Sequence, residues 1–334
     1  SESDNQTILQ NICFDKLKVN PLPNSKSEIW RMASKPKLES FLNFKSSNEF
    51  YEPIIPNELD TNNVLRIIIG ENKKVCITQK EWGINELEEK EIINLISQKL
   101  IDSDTTKNWS DLLNHYLTNK NNILGLKITG KVIPHIEIIS NSKTNLFNSK
   151  TLILKIEKDT SVDISQINLG DLNCSLSTSS YLFIGENAHV NHGIVSYGKN
   201  KSYMINSLNI IQYKNSEYNL GSLQFNFNFA RLEINIDQIE GNAKTNIKGM
   251  QITKDNEQIA TYAKIKFNGP NGYLDQLNKS LAKDRSHSVF EGIIIVPQIA
   301  QKTDASQLSR NLLLSNHAKI DTKPQLEIVA DDVK

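Results

Sequence analysis

The hydrophobic pattern of this chain changes period at about residue 121, and that change constrains the fold more than any other feature. Beyond it, apolar residues recur at every second position. Leu152, Leu154 and Ile156 alternate with Ile153, Lys155 and Glu157. Leu232, Ile234 and Ile236 alternate with Glu233, Asn235 and Asp237, and Leu223, Phe225, Phe227 and Phe229 with Gln224, Asn226 and Asn228. Successive strand residues point to opposite faces, so each run presents one face to a core. Further short apolar runs stand at 181–184, 208–211, 293–296, 312–314 and 326–329, and no amphipathic helix is readable between 121 and 270. Such a run of short strands predicts a sandwich, a barrel or a β-solenoid.

The connections favour the solenoid. The strand runs are separated by Asn168-Leu169-Gly170-Asp171, Gly185-Glu186-Asn187-Ala188, Gly198-Lys199-Asn200-Lys201 and Gly241-Asn242-Ala243. These turn a corner between stacked rungs as readily as they close a hairpin. Asn and Ser at such corners satisfy backbone groups through their own side chains. No exact internal repeat is present. Phe225, Phe227 and Phe229 are expected inside the stack as packing residues and not as an aromatic ligand platform.

The first 120 residues read as mainly helical. Ser25 with Glu28 has capping-box spacing, predicting a helix from Trp30 to about Phe44 with an interruption near Pro36. Asn85 with Glu88 repeats the signature ahead of Ile92, Leu95, Ile96 and Leu100, which form one helical stripe. A third helix is expected over 106–117, with Trp109, Leu112, Leu113 and Tyr116 on one side. Between them, 65–69 and 74–78 flank Gly70-Glu71-Asn72 as a hairpin. The chain thus divides into a helical region, 1–120, and a β core, 121–334.

The 38 basic side chains balance 38 acidic ones, which speaks against a nucleic-acid binder. No stretch approaches 18 apolar residues, so no membrane span is expected. Three scattered cysteines, Cys13, Cys76 and Cys174, form neither a disulfide framework nor a metal knuckle. They read as buried, structural or incidental thiols in a reducing cytoplasm, and the N-terminal residues carry no apolar signal core. The spacings of serine hydrolases, zincins, P-loops and dinucleotide-binding loops do not occur. Asn268-Gly269-Pro270-Asn271-Gly272 is a turn without the Lys-Ser/Thr of a phosphate loop. His189 and His192, three apart, fall on opposite faces of one strand and do not converge on a metal. His115 and His135 read as surface or boundary residues, and Arg285, His287, Lys302 and His317 as solvated rim positions.

The C-terminal stretch is the most specific. It runs Asp284-Arg285-Ser286-His287-Ser288-Val289-Phe290-Glu291-Gly292 and continues through Arg310-Asn311-Leu312-Leu313-Leu314-Ser315. It ends Ile320-Asp321-Thr322-Lys323-Pro324-Gln325-Leu326-Glu327-Ile328-Val329-Ala330-Asp331-Asp332-Val333-Lys334. Together with Pro23-Asn24-Ser25-Lys26-Ser27-Glu28-Ile29-Trp30-Arg31 it resembles the SufB/SufD family, the scaffold proteins of SUF iron–sulfur cluster assembly, and within it the SufD branch. The resemblance implies a right-handed parallel β-helix preceded by a helical and mixed N-terminal region. It implies a non-catalytic scaffold subunit that pairs with SufB through the ends of the two β-helices and docks the ATPase SufC. An iron–sulfur cluster would form transiently at the SufB–SufD interface. In the family, Asp-Asp-Val-Lys is followed by a Cys-x-His-Gly segment that supplies a thiol and an imidazole for iron, and then by the helices that hold SufC. Both would follow Lys334, so no metal ligand and no resident cofactor is expected within residues 1–334.

The terminal strand also has a physical reading of its own. Pro324 lacks an N–H and suits a strand start or an edge. Gln325, Glu327 and Asp331 alternate with Leu326, Ile328 and Ala330, giving one polar and one packing face. An exposed last strand pairs edge to edge with a partner or with a second copy, and Pro324, Gln325, Glu327, Asp331 and Asp332 are its candidate contacts. The competing functions are a β-helix polysaccharide lyase or esterase and a structural solenoid. The former needs Asp clustered with Arg or Lys across neighbouring rungs, where this chain offers mostly Asn, Gln, Glu and Lys.

Overall fold

The computed structural model describes residues 5–19, 21–46, 64–70, 73–76, 83–100, 108–131, 133–199 and 201–334. Glu71, Asn72, Thr78 and Thr106, which the hairpin and third-helix readings include, lie outside the described residues, as does the side chain of Cys76.

The N-terminal part contains α1 (Asn5–Val19), α2 (Lys35–Leu42), β1 (Lys45–Ser46), β2 (Val64–Gly70), β3 (Lys73–Cys76), β4 (Ile84–Glu86), α3 (Glu89–Leu100) and α4 (Trp109–Leu117). Strands follow without a further α-helix among the described residues. They are β5 (Ile123–Ile128), β6 (His135–Ser142), β7 (Leu146–Ile156), β8 (Ser161–Gly170), β9 (Ser175–Ile184), β10 (His189–Tyr197), β11 (Tyr203–Gln212) and β12 (Glu217–Phe225), then β13 (Phe229–Gln238), β14 (Lys244–Thr253), β15 (Gln258–Phe267), β16 (Tyr273–Ala282), β17 (His287–Val296), β18 (Asp304–Leu313) and β19 (Lys319–Ile328).

From β5 on, odd-numbered strands stack into one sheet and even-numbered strands into a second, every neighbour parallel. The result is a parallel β-solenoid of about seven turns, each turn giving one strand to each sheet. The N-terminal strands extend it: β2 pairs with β6, and β3 lies antiparallel on β2 as the expected hairpin. Strand β4 lies antiparallel on β5.

A coil takes 28 residues through the middle of the stack, so Val162, Val190 and Tyr218 form one inward column. The corners set this length. Asn145, Asp159, Asn173, Asn187, Lys201 and Asn215 all have φ between 51° and 64° and recur at half-coil intervals. Each is the third residue of a β-turn, as in the bonds from Thr160 N to Glu157 O (3.3 Å) and from Ala188 N to Gly185 O (3.1 Å). A positive φ at that position suits Asn and Asp, whose side chains tolerate it. Asn187 Nδ2 also donates to Asp159 Oδ1 one rung below, at 3.1 Å.

The interior is filled by the inward rows of both sheets, among them Leu152, Leu154, Ile156, Leu232, Ile234 and Ile236, as the alternation predicts. Burying one such side chain contributes about 2 kcal/mol. A second apolar layer lies outside the first sheet. There Leu9, Cys13, Trp30, Phe41, Ile96 and Trp109 cover the outward residues Ile153, Tyr181, Ile205 and Phe229.

Four local expectations are corrected. The phenylalanines do not share a face. Strand β12 ends at Phe225, and the corner residue Asn226 (φ 64°) resets the alternation. Phe225 therefore points outward, 4.9 Å from the Tyr197 ring, and Phe227 lies inside with Leu176 and Met204. Phe229 is buried on the outward side, under the helices.

The helix expected from Trp30 begins only at Lys35. Gln258 takes the backbone there, accepting from Ser34 N at 2.7 Å and donating to Met32 O at 2.9 Å. Ser34 caps the helix, and Pro36 opens it instead of interrupting it. Asn85 is no cap either: it sits in β4, and α3 starts at Glu89.

His115 is not a surface residue. It is fully buried, bonded to Tyr181 Oη at 2.7 Å, and desolvation lowers its pKa to about 3. The outward row of β9 is serine-rich, so α4 turns its polar flank onto it. Ser179 Oγ donates to Asp111 Oδ1 (2.7 Å) and Ser177 Oγ to Asn114 Oδ1 (2.8 Å).

Candidate interaction edge on the last rung

The two sheets end on β18 and β19, each with a strand neighbour on one side only among the described residues. The next turn begins beside β18: Thr303 bridges Val333, and Ala305 N donates to Lys334 O at 2.9 Å. Register with β17 assigns the faces of β19. Ile320, Thr322, Pro324, Leu326 and Ile328 continue the inward columns, and Lys319, Asp321, Lys323, Gln325 and Glu327 the outward ones. Inward residues elsewhere in the stack are buried, but here Leu326 is 63% exposed, Ile328 47% and, on β18, Leu313 53%.

Pro324 lies mid-strand on this edge, opposite Gly292. An edge strand is where proline is tolerated. Gly292 is small because Gln307 crosses the interior there; a Cβ would stand 1.8 Å from its Nε2. Gln325 Nε2 donates to Glu28 Oε1 at 2.8 Å, and Lys323 pairs with the same oxygen. Those bonds, Lys323 first, hold the Glu28 carboxyl below its usual pKa. Glu327 is exposed.

Asp331 Oδ2 accepts from Gln298 Nε2 at 3.1 Å. The backbone of Asp332 is tied at both ends, its N–H to Gln301 Oε1 (2.9 Å) and its carbonyl to Lys302 N (2.6 Å). The structure thus brings Pro324, Gln325 and Glu327 onto one edge strand and sets Asp331 and Asp332 at the following corner. Glu28, nearly 300 positions upstream, joins them, and no local pattern marks it for that contact.

Of the rim residues, His287 is not merely solvated: its Nε2 meets Asp321 Oδ2 at 2.6 Å and its Nδ1 meets Gln258. His189 and His192 lie on opposite faces as their spacing predicts. His189 is exposed beside Glu217, and His192 is buried between Gln166 and Tyr218. Among the described residues no three His, Cys, Asp or Glu side chains gather to hold a metal. Cys13 is buried, its thiol pushed up to about 12 mainly by desolvation, and Cys174 is buried as well. No helix among the described residues is long and apolar enough to cross a membrane.

Two parallel sheets stacked through about seven turns define a β-solenoid class of protein. The chain belongs to the SufBD family: the SUF system FeS cluster assembly, SufBD core domain matches residues 137–334. An iron–sulfur cluster assembly SufBD family protein of Synechocystis sp. is 37% identical over 155 residues, 46% of this chain and 34% of that protein. The iron–sulfur cluster assembly protein SufD of Escherichia coli is 40% identical over 98 residues, 29% of this chain and 23% of that protein. SufD of Bacillus subtilis is 28% identical over 210 residues, 59% and 46% respectively. The chain spans about a third or less of the first two relatives' length.

Proposed function

We propose that this chain is a non-catalytic, SufD-like scaffold subunit of cytoplasmic iron–sulfur cluster assembly, with residues 121–334 as its solenoid core and 1–120 as its N-terminal region. It pairs with a SufB-type subunit through the last rung. The observation that carries this reading is the match of the SufBD core domain to residues 137–334, the stretch that stacks as a parallel solenoid. A second solenoid would join such a stack by pairing along an edge strand. Pro324, Gln325, Glu327, Asp331 and Asp332 form or border the contact. The cluster is cargo made at the joint between the two subunits, with soft ligands from the segment that follows Lys334 in the family. The SufC-docking helices are taken to follow that segment, as the family resemblance implies. Residues 1–334 alone are therefore expected to hold SufB and not SufC.

Affinity capture with purified SufB and SufC, each offered separately, tests the assignment. SufB is retained by residues 1–334, and Leu326→Asp with Ile328→Asp abolishes retention. SufB binding that is indifferent to the double substitution, or capture of SufC alone, overturns the placement. Sedimentation in the absence of SufB reads out self-pairing through the same edge.

A further inference from the structure

The outer face of the second sheet carries a groove that the scaffold reading does not use. Its floor is Gly193 and Gly221, registered neighbours on β10 and β12, and it encloses about 690 Å³. Glycine weakens a strand interior and is kept there for a bulge, a bend or a close approach. None of these applies here. Neither residue has a positive φ, and a Cβ on either would meet nothing within 4 Å. The missing side chains open the face to something from outside.

One wall is a ladder of stacked side chains: Asp163, Asn191, Asn219, Asn246 and Asp275. Asn191 Nδ2 donates to Asp163 Oδ1 (2.8 Å), Asn219 Nδ2 to Asn191 Oδ1 (2.9 Å) and Asn246 Nδ2 to Asn219 Oδ1 (2.8 Å). A carboxylate stands at each end, and an ionised carboxylate only accepts. The ladder has one more junction than it has amides. Whichever way the amides turn, one junction must bring two acceptors together. It falls between Asn246 Oδ1 and the Asp275 carboxylate, which also accepts from Ser306 Oγ at 3.1 Å. Both residues line the groove, where a donor from outside can reach the two acceptors together. The carboxylates and ammonium of the groove, Asp163, Asp275 and Lys248, leave one net negative charge, which favours a cationic donor.

The other side of the glycine row is apolar. Val195, Leu223 and Met250 make the adjoining row, and Tyr197, Phe225 and Ile252 the one beyond it. Val195 is 40% exposed and Ile252 37%. The first sheet shows what such a face accepts. There α4 lies across β7, β9 and β11, bonding through Asp111 and Asn114 to the serine row and packing through Trp109 and Leu112. In this molecule a sheet face of that kind is covered by a helix, whereas an edge takes an added strand.

We propose that this groove docks an amphipathic α-helix of a partner protein, with an arginine seated between Asn246 and Asp275 and apolar residues lying on Val195, Leu223 and Met250. The planar guanidinium offers several donors at once, which matches an amide oxygen and a carboxylate on adjacent rungs better than a point charge does. The surface is separate from the last-rung edge, so its test does not depend on SufB.

The experiment titrates the full 334-residue chain against a labelled amphipathic helical peptide of about 18 residues, read by fluorescence anisotropy. The peptide carries one arginine at the border of a leucine-rich face, with citrulline or glutamate in that position as comparisons. The arginine peptide binds about tenfold tighter than the glutamate peptide, with citrulline between them. Gly221→Val blocks all three, and Asp275→Ala removes the arginine advantage while apolar binding persists. A Cβ at Gly221 meets nothing within 4 Å; if the melting temperature of Gly221→Val nevertheless falls, the exposed Asp275→Ala carries the test alone. Absence of binding by every peptide, equal binding of all three, or an arginine preference that survives Asp275→Ala overturns the proposal. Binding of a neutral oligosaccharide such as cellohexaose, lost in Gly221→Val, would assign the groove to a glycan and overturn it as well.

Discussion

Gln325 Nε2 donates to Glu28 Oε1 at 2.8 Å, joining the last strand to a segment 297 positions earlier. Lys323 pairs with the same carboxylate, and two residues beyond Glu28 the Trp30 ring lies 3.6 Å from the Arg231 guanidinium carbon. The N-terminal segment is thus fastened both to the middle of the first sheet and to its end.

Replacing Glu28 by Gln is expected to change global stability by less than about 0.5 kcal/mol, because the pair is solvent-exposed. The local effect is larger: amide hydrogen exchange over residues 24–33 speeds up while β13 and β15 are unaffected. The folded carboxyl has a lowered pKa. Its contribution is therefore present above the unfolded value and lost as pH falls through the folded one. Exchange rates over 24–33 that match the unsubstituted chain at pH 7 would show that the contact does not hold the segment.

His192 predicts acid sensitivity. Gln166 Oε1 only accepts, so His192 Nε2 carries the proton, and Nδ1 takes the Tyr218 hydroxyl; desolvation lowers the imidazole pKa to about 3. The unfolded chain binds a proton from about pH 6.5 downward and the folded chain does not. Stability is therefore full above pH 6.5 and is lost as pH falls toward 3. Between pH 6.5 and 5 the loss from this group is about 2 kcal/mol. Denaturant unfolding at the two pH values should show His192→Gln losing less than the unsubstituted chain by about that amount. An unchanged pH dependence would place the titration elsewhere.

At the corner residue Asn187, φ is 58°. Asn187→Val should cost about 1–3 kcal/mol, since a β-branched residue is strained there. Asn187→Gly should be nearly neutral because glycine adopts this conformation freely, although the bond to Asp159 is lost. Thermal melts of the two variants decide it; equal costs would mean that the side-chain bond and not the backbone sets the preference.

Arg231 is buried between Trp30 and Tyr262, its Nε 3.1 Å from Glu233 Oε1. Arg231→Ala removes the stacking and leaves Glu233 buried without its cation, for an expected loss of about 3–5 kcal/mol. Adding Glu233→Gln should restore part of it. A double variant no more stable than the single one would argue that stacking, and not charge, dominates.

Much of the interior was legible because alternation is local: Leu152, Leu154 and Ile156 face inward as their spacing required. A stronger signal was also present. Asn145, Asp159, Asn173, Asn187 and Asn215 keep a 14-residue register, with Lys201 between the last two. That is a half-coil repeat carried by turn chemistry in place of sequence identity. Alternation carried straight through Asn226 misplaces the phenylalanines, because a corner there resets the phase. The C-terminal motif marked Pro324, Gln325 and Glu327 as an edge strand, but Glu28 had no local signature for its contact with them.

The sequence by itself determined a stack of two-residue-period strands, the residues that turn its corners, and the family. Only the tertiary structure decided which outward rows are covered. Ser177, Ser179 and Tyr181 on β9 are covered, while Asn191, Gly193 and Val195 on the next strand stay open. Alternation says that a strand has two faces and cannot say what lies against the outer one. That is decided by groups distant in the chain, as when Asp111 reaches Ser179. A polar row is buried only where another element supplies its hydrogen bonds, and such a supplier is not written in the row itself.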